Sequence, residues 1–279
     1  LNRMELKKIV EKQDPNSSIT FLEANNDFNK SYFDKFTVGI YYRLMLPKLL
    51  LHLDKIIYSD VDVIFCNDMI EADKIDVNNC WIAGVKDAFN LNKSEKRKKM
   101  KYKSLDDHQY LCSGFLLMNL KMLREQDIYN RWVELSKNKS FNYPDQDILN
   151  CTCQDRKLSI PLKYSFIPMG EKSYNQCIKD NIYSHQEYED ATNNPINIHY
   201  AGRKPWNNTV SLFEIWWKYA AMTPFLDIFL LRHNVPFATF EKKFYLFHFI
   251  PFLRTKFMGN KVKYYLFGFI PLLKIKNFT

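Results

Sequence analysis

Residues Lys55-Ile56-Ile57-Tyr58-Ser59-Asp60-Val61-Asp62-Val63-Ile64-Phe65 form an apolar run that carries two aspartates two residues apart. Read as one buried strand, the run sends alternate side chains to opposite faces, so Asp60 and Asp62 point the same way. Two carboxylates on one face repel unless a cation sits between them. A divalent ion is the usual solution. A hard, oxygen-binding ion such as Mn²⁺, with Mg²⁺ as the alternative, suits carboxylate ligands best.

The spacing alone decides little, because Asp145-Gln146-Asp147 repeats it. A third element adds weight: Ile198-His199-Tyr200-Ala201-Gly202-Arg203-Lys204-Pro205-Trp206. A histidine after a short apolar strand can add a nitrogen ligand to an ion already held by carboxylates. Gly202 lets the backbone approach a phosphate, and Lys204 offers a positive charge to a diphosphate.

Around these motifs the pattern alternates between helix and strand, which points to an α/β domain. Met4–Lys12 has helical spacing and Ser18–Leu22 reads as a short strand. Phe36–Leu51 reads as a helix that breaks at Pro47. Cys80–Val85 and Tyr110–Leu120 read as strands, the first followed by Asp87. Arg124–Lys137 has helical periodicity with Ile128, Trp132 and Leu135 on one face, and Pro144-Asp145 opens a further helix with Ile148 and Leu149 buried. Lys93–Lys103 is basic and polar, and is expected to be a solvated segment.

A chain of 279 residues can bury a large core in one or two domains. The net charge of +9 is placed unevenly: residues 232–279 account for +8 of it. The basicity therefore belongs to the tail and says little about the body. The tail also holds a repeat. Phe244–Lys256 recurs twenty residues later as Tyr264–Lys276, each copy an apolar-aromatic block, a proline and two basic residues. Each block is too short to span a bilayer. Aromatics beside Lys and Arg suit the interface of an anionic membrane, the alternatives being packing onto the body or pairing in a dimer. Such blocks suit a nucleic acid less well, and none is expected as a partner. No stretch of about 18 apolar residues predicts a transmembrane helix. The start lacks the apolar core of a signal peptide. The six cysteines fit neither a zinc site nor a redox motif and are expected as reduced thiols.

Five ordered motifs carry a resemblance. They are Tyr41–Leu44, Tyr58–Asp62, Ser113–Leu120, Asp145–Asn150 and His199–Trp206. Together they resemble the family-8 retaining glycosyltransferases, the group that contains bacterial lipooligosaccharide galactosyltransferases and glycogenin. The resemblance implies a GT-A fold, a nucleotide-binding mixed sheet flanked by helices, over residues 1–222. Residues 223–279 are then a membrane-associating tail, similar to the ends of bacterial members. In the family, the residues matching Asp60, Asp62 and His199 bind Mn²⁺, and those matching Gly202 and Lys204 contact the diphosphate. The match to Arg43 lies near the donor, those to Asp145 and Gln146 line the donor sugar, and that to Asp87 lies near donor and acceptor. Cys112, beside Ser113, stands where an Asn donor contact is usual. The family's opening strand with its uridine-binding residues has no match here, which implies a truncated chain or an incomplete nucleotide pocket.

The implied activity is transfer of a hexose from UDP-galactose or UDP-glucose to a lipopolysaccharide, capsule or other cell-surface glycan or glycolipid. The implied place is the cytoplasmic face of an anionic membrane. The alternative is a non-catalytic nucleotide- or glycan-binding relic of the same fold.

Overall fold

A computed structural model describes residues 3–32, 36–91, 109–208, 210–233, 241–246, 250–258, 261–267 and 269–276. The basic segment Lys93–Lys103 lies outside them. The strands among these residues are β1 (Lys55–Ser59), β2 (Val63–Phe65), β3 (Ile82–Lys86), β4 (Leu111–Asn119), β5 (Lys157–Ser159), β6 (Asn197–His199), β7 (Glu241–Leu246), β8 (Ile250–Met258), β9 (Lys261–Leu266) and β10 (Ile270–Lys276). The chain divides into two units, residues 1–59 with 69–164, and residues 60–68 with 165–279.

The first unit is built on a mixed sheet of order β1-β4-β3-β5, in which only the β3–β5 pair is parallel. All nine residues of β4 are buried, which is why its sequence reads as a nearly continuous apolar run rather than an alternating one. Helices Tyr42–Leu49, Leu120–Glu125, Ile128–Leu135 and Pro144–Thr152 contribute Leu44, Leu123, Trp132 and Ile148 to one core with Ile82 and Met118. The Trp132 indole donates to Thr152 Oγ1 at 2.8 Å, so its polar edge is satisfied inside that core.

Three sequence expectations change here. Ser18–Leu22 forms no strand: most of it is exposed, and it has no ladder partner among the described residues. The helix does not break at Pro47. Pro47 forfeits one bond, yet Leu50 N donates to Leu46 O and the helix runs on to Leu49. The stretch Arg124–Lys137 is two helices, divided where Asp127 adopts φ +46°. Ile128 and Trp132 are buried on the second as expected.

The second unit pairs β2 with β6 in antiparallel register, Val63 opposite His199 and Ile64 opposite Ile198. Ile198, Tyr200, Trp216, Trp217 and Leu230 form its core, with Tyr264 of β9 packed against them. Strands β7 to β10 form an antiparallel meander. Each copy of the tail repeat is one hairpin of it. In both, the repeat's tyrosine lies opposite its proline: Tyr245 opposite Pro251, and Tyr265 opposite Pro271. In both, the next residue, Phe252 or Leu272, is a bulge. All six cysteines are free.

Gly84 of β3 packs closely against β4. A Cβ there would meet Leu116 Cδ2 at 3.0 Å and the carbonyl oxygens of Phe115 and Cys112 at 3.4 and 3.5 Å. Overpacking of this kind costs about 1–3 kcal/mol. Gly84→Val is therefore expected to lose that much stability, read from the urea midpoint at unchanged slope.

Candidate functional site

The second unit gathers Asp60, Asp62 and His199. The sequence reading placed both aspartates on one strand. Instead β1 ends at Ser59 and β2 begins at Val63, and Asp60-Val61-Asp62 forms the turn between them. The reason is a change of pairing partner: β1 joins β4, whereas β2 joins β6. Val61 is fully exposed at the tip of the turn. Tyr200 N donates to Asp62 O at 2.9 Å, extending the β2–β6 ladder by one bond and fixing the turn beside His199.

The ligand atoms of the three residues lie within 4.8 Å of one another. His199 Nε2 is 3.3 Å from Asp62 Oδ1 and 3.8 Å from Asp60 Oδ2. Donors sharing one octahedral ion are roughly 3 Å apart when adjacent and roughly 4 Å apart when opposite. Two carboxylates and one imidazole therefore fit a hard divalent ion in both spacing and chemistry. Lys204 completes the cluster. Its ammonium forms an ion pair with Asp62 Oδ2 and donates to Tyr200 O at 2.9 Å. Burial opposes ionisation of Asp62, but the hydrogen bonds and charges of His199 and Lys204 outweigh it and hold the carboxyl well below its usual range.

The loop that carries Lys204 is pinned from both sides. Tyr200 Oη donates to Leu212 O at 2.7 Å, and Trp217 Nε1 donates to Pro205 O at 3.1 Å. Gly202 sits at φ +87° with nothing within 4 Å of where a Cβ would stand, so conformation rather than space calls for glycine there. The two bonds from Tyr200 and Trp217 had no signal in the sequence beyond the aromatic residues themselves.

The first unit gathers Arg43, Asp87, Ser113, Asp145 and Gln146, all buried. Strand β1 stops opposite Phe115, which leaves residues 111–113 of β4 without a strand on that side. Helix Pro144–Thr152 fills the gap with side chains. Asn150 clasps Leu111 like a peptide group: its Oδ1 accepts from Leu111 N at 2.7 Å and its Nδ2 donates to Leu111 O at 2.8 Å. Gln146 Oε1 accepts from Ser113 N at 2.8 Å. Residues i and i+4 of a helix are ~6 Å apart along its axis, close to the ~6.7 Å between strand residues i and i+2, so the two can run side by side.

The same helix aims its charged residues. Asp145 Oδ2 meets Arg43 Nε at 3.1 Å and accepts from Ser113 Oγ at 3.0 Å. Arg43 also donates to Ser113 O and lies over the Tyr58 ring, 4.7 Å from its centroid. Gln146 Nε2 donates to Asp87 Oδ2 at 2.7 Å. Asp147, by contrast, faces the helix start: it accepts from Asn142 N, Tyr143 N and Tyr110 Oη. Burial raises its pKa, against those hydrogen bonds. Cys112 is buried on β4 beside Ser113. The roles of Asn150 and Tyr110 were invisible in the sequence, because they depend on the register of a helix against a strand edge.

A family model for glycosyl transferase family 8 matches residues 2–210. The chain belongs to glycosyltransferase family 8. Among curated relatives of this family-8 chain is a putative glycosyltransferase of Haemophilus influenzae, 33% identical over 137 residues, or 48% of this chain and 41% of the relative. Another is the lipopolysaccharide 1,2-glucosyltransferase of Escherichia coli K12, 29% identical over 174 residues, or 61% of this chain and 49% of the relative. The chain thus spans about half the length of these relatives or less. Among solved structures, the galactosyltransferase LgtC in complex with donor and acceptor sugar analogues superposes with a TM-score of 0.65, at 24% identity over 80% of this chain and 82% of that one. That likeness gives the fold, which is GT-A.

Replacing Asn150 with Leu removes both partners of a buried backbone peptide. Each orphaned group costs about 1–3 kcal/mol. Asn150→Leu is expected to lower stability by at least that much in urea unfolding, and Gln146→Leu, which takes a partner from both Ser113 N–H and the buried Asp87 carboxylate, by a comparable amount.

Proposed function

We propose that this chain is a retaining hexosyltransferase that moves galactose or glucose from a UDP-sugar to a lipopolysaccharide or other cell-surface glycan. The convergence of Asp60, Asp62 and His199 into one hard donor set, in a family-8 chain, is the observation that carries this reading. Relatives that include a lipopolysaccharide glucosyltransferase support the acceptor class.

In this reading Asp60, Asp62 and His199 hold Mn²⁺ at the donor diphosphate. When bound, the ion supplies Lewis-acid stabilisation to the phosphate oxygens. Lys204 adds a point charge to the departing diphosphate, and Gly202 lets the backbone reach it. Asp145 and Gln146 take the donor sugar, with Asp87, Arg43, Ser113 and Cys112 around it. As the bond from the anomeric carbon to phosphate breaks, positive charge grows on the sugar. The Asp145 carboxylate stabilises that charge electrostatically.

A covalent intermediate on Gln146 is disfavoured, because an amide oxygen is a poor nucleophile and Gln146 Oε1 is bound by Ser113 N–H; Asp145 Oδ2 is engaged by Arg43 and Ser113. In this reading transfer is front-face: the acceptor oxygen bonds to the anomeric carbon on the side the phosphate leaves, and the leaving phosphate oxygen takes the acceptor's proton. Configuration is retained.

The tail fits a place at an anionic membrane surface. Among the described residues no helix is long and apolar enough to cross a membrane. The second hairpin's turn and both bulges instead expose Phe252, Phe267, Phe269, Ile270 and Leu272. Phe267 holds φ +52° at that turn and stacks edge-on to Phe252 at 6.4 Å. These rings, with a basic tail, match an interfacial anchor.

Two measurements test these readings. UDP release from a panel of UDP-sugars should depend on Mn²⁺, vanish with chelator, and fall by about 10²-fold or more in Asp62→Asn. Release that ignores both overturns the metal reading, and silence with every sugar and acceptor favours a binding relic. Separately, Phe269→Ser with Leu272→Ser should weaken binding to anionic lipid vesicles by about tenfold per side chain, since each buried large apolar group is worth about 1.5–3 kcal/mol. Equal vesicle binding, or preference for single-stranded DNA, overturns the membrane reading.

A further inference from the structure

We propose that Lys204 is a resident counter-ion of Asp62 that is handed over to the donor diphosphate when the divalent ion enters. The inference rests on the reading that Asp60, Asp62 and His199 hold that ion.

Asp62 is the residue on which two demands collide. Its Oδ1 faces His199 Nε2 and its Oδ2 is taken by the Lys204 ammonium. An ion shared by Asp60, Asp62 and His199 draws on the same carboxylate, and the Lys204 ammonium on its other oxygen repels that ion and competes for the same charge. Entry of the metal therefore favours release of Lys204. Its chemistry allows this. A lysine is a point charge on a flexible four-carbon stem, whereas an arginine would lock into a planar fork. The side chain is 29% exposed, so water can meet the ammonium as it turns.

The surrounding loop limits the movement to the side chain. Lys204 O accepts from Asn207 N and Asn208 N at 3.0 Å, and Pro205 O is held by Trp217. With the backbone fixed, the ammonium swings about an anchored Cα. The released charge is then available to a diphosphate carried by the same ion. Metal entry and diphosphate recognition become coupled through one residue, and the half-buried carboxylate always has a cation.

The coupling predicts opposite effects of one substitution on two ligands. Mn²⁺ binding to the nucleotide-free protein is measured by electron paramagnetic resonance, and UDP binding at saturating Mn²⁺ by calorimetry. The proteins are wild type, Lys204→Met, Lys204→Ala, Arg203→Met and Asp60→Asn. Removing a charge-assisted hydrogen bond changes an equilibrium by about tenfold or more. Both Lys204 variants should bind Mn²⁺ about tenfold more tightly and UDP about tenfold more weakly. Arg203→Met, which removes an exposed cation one residue away, should leave Mn²⁺ binding within about twofold. Unchanged or weaker Mn²⁺ binding in both Lys204 variants overturns the proposal, as does equal tightening in Arg203→Met, which would make the effect one of general charge. Unchanged UDP affinity in the Lys204 variants overturns the hand-over. If wild type holds no Mn²⁺ that Asp60→Asn removes, the metal reading itself fails and this inference with it.

Discussion

A carboxylate withdrawn from water must have its charge compensated, and this constraint shapes both functional clusters. The two solutions differ in kind. Asp145 is buried against the guanidinium of Arg43, which is itself held by a backbone carbonyl and an aromatic face. Every side of that pair is fixed, so it acts as a rigid strut. Asp62 is compensated by a lysine and a histidine on a turn that still meets solvent. One pair preserves a shape; the other keeps a charge ready for exchange. A swap of Arg43 for lysine or Lys204 for arginine would conserve charge and lose that distinction.

Much of this was legible in the sequence as chemistry, and less of it as geometry. Residue types made the two aspartates and a distant histidine candidates for one ion, and the ordered motifs of the resemblance joined them. Their placement on one strand did not survive, because periodicity cannot reveal where a chain changes its pairing partner. Ser59 and Val63 look like one strand until β4 and β6 are known. Asp127 hid a helix boundary for a similar reason: a single left-handed residue interrupts a helix without interrupting its apolar spacing. Asn150 shows the other limit. Its spacing of four from Gln146 was plain, as was the spacing of two between Leu111 and Ser113, but no local rule brings a helix face to a strand edge.

The family match covers residues 2–210, and the residues of both clusters fall inside it, from Arg43 to Lys204. The chemistry assigned to them therefore belongs to the stretch this chain shares with its relatives.

The tail lies beyond that match, and its repeat has a structural meaning that a list of blocks conceals. A proline cannot donate to a ladder, so it is tolerated in a strand only at an edge or beside an irregularity. Both repeat prolines are followed directly by a bulge, and both hairpins place a tyrosine opposite the proline. The bulge turns the next apolar residue, Phe252 or Leu272, outward. Duplication has thus copied a device rather than a composition: a strand irregularity that exposes one large apolar side chain per hairpin. Two such devices in one meander present apolar groups that a single hairpin would leave isolated, and the Phe252–Phe267 contact shows them already meeting.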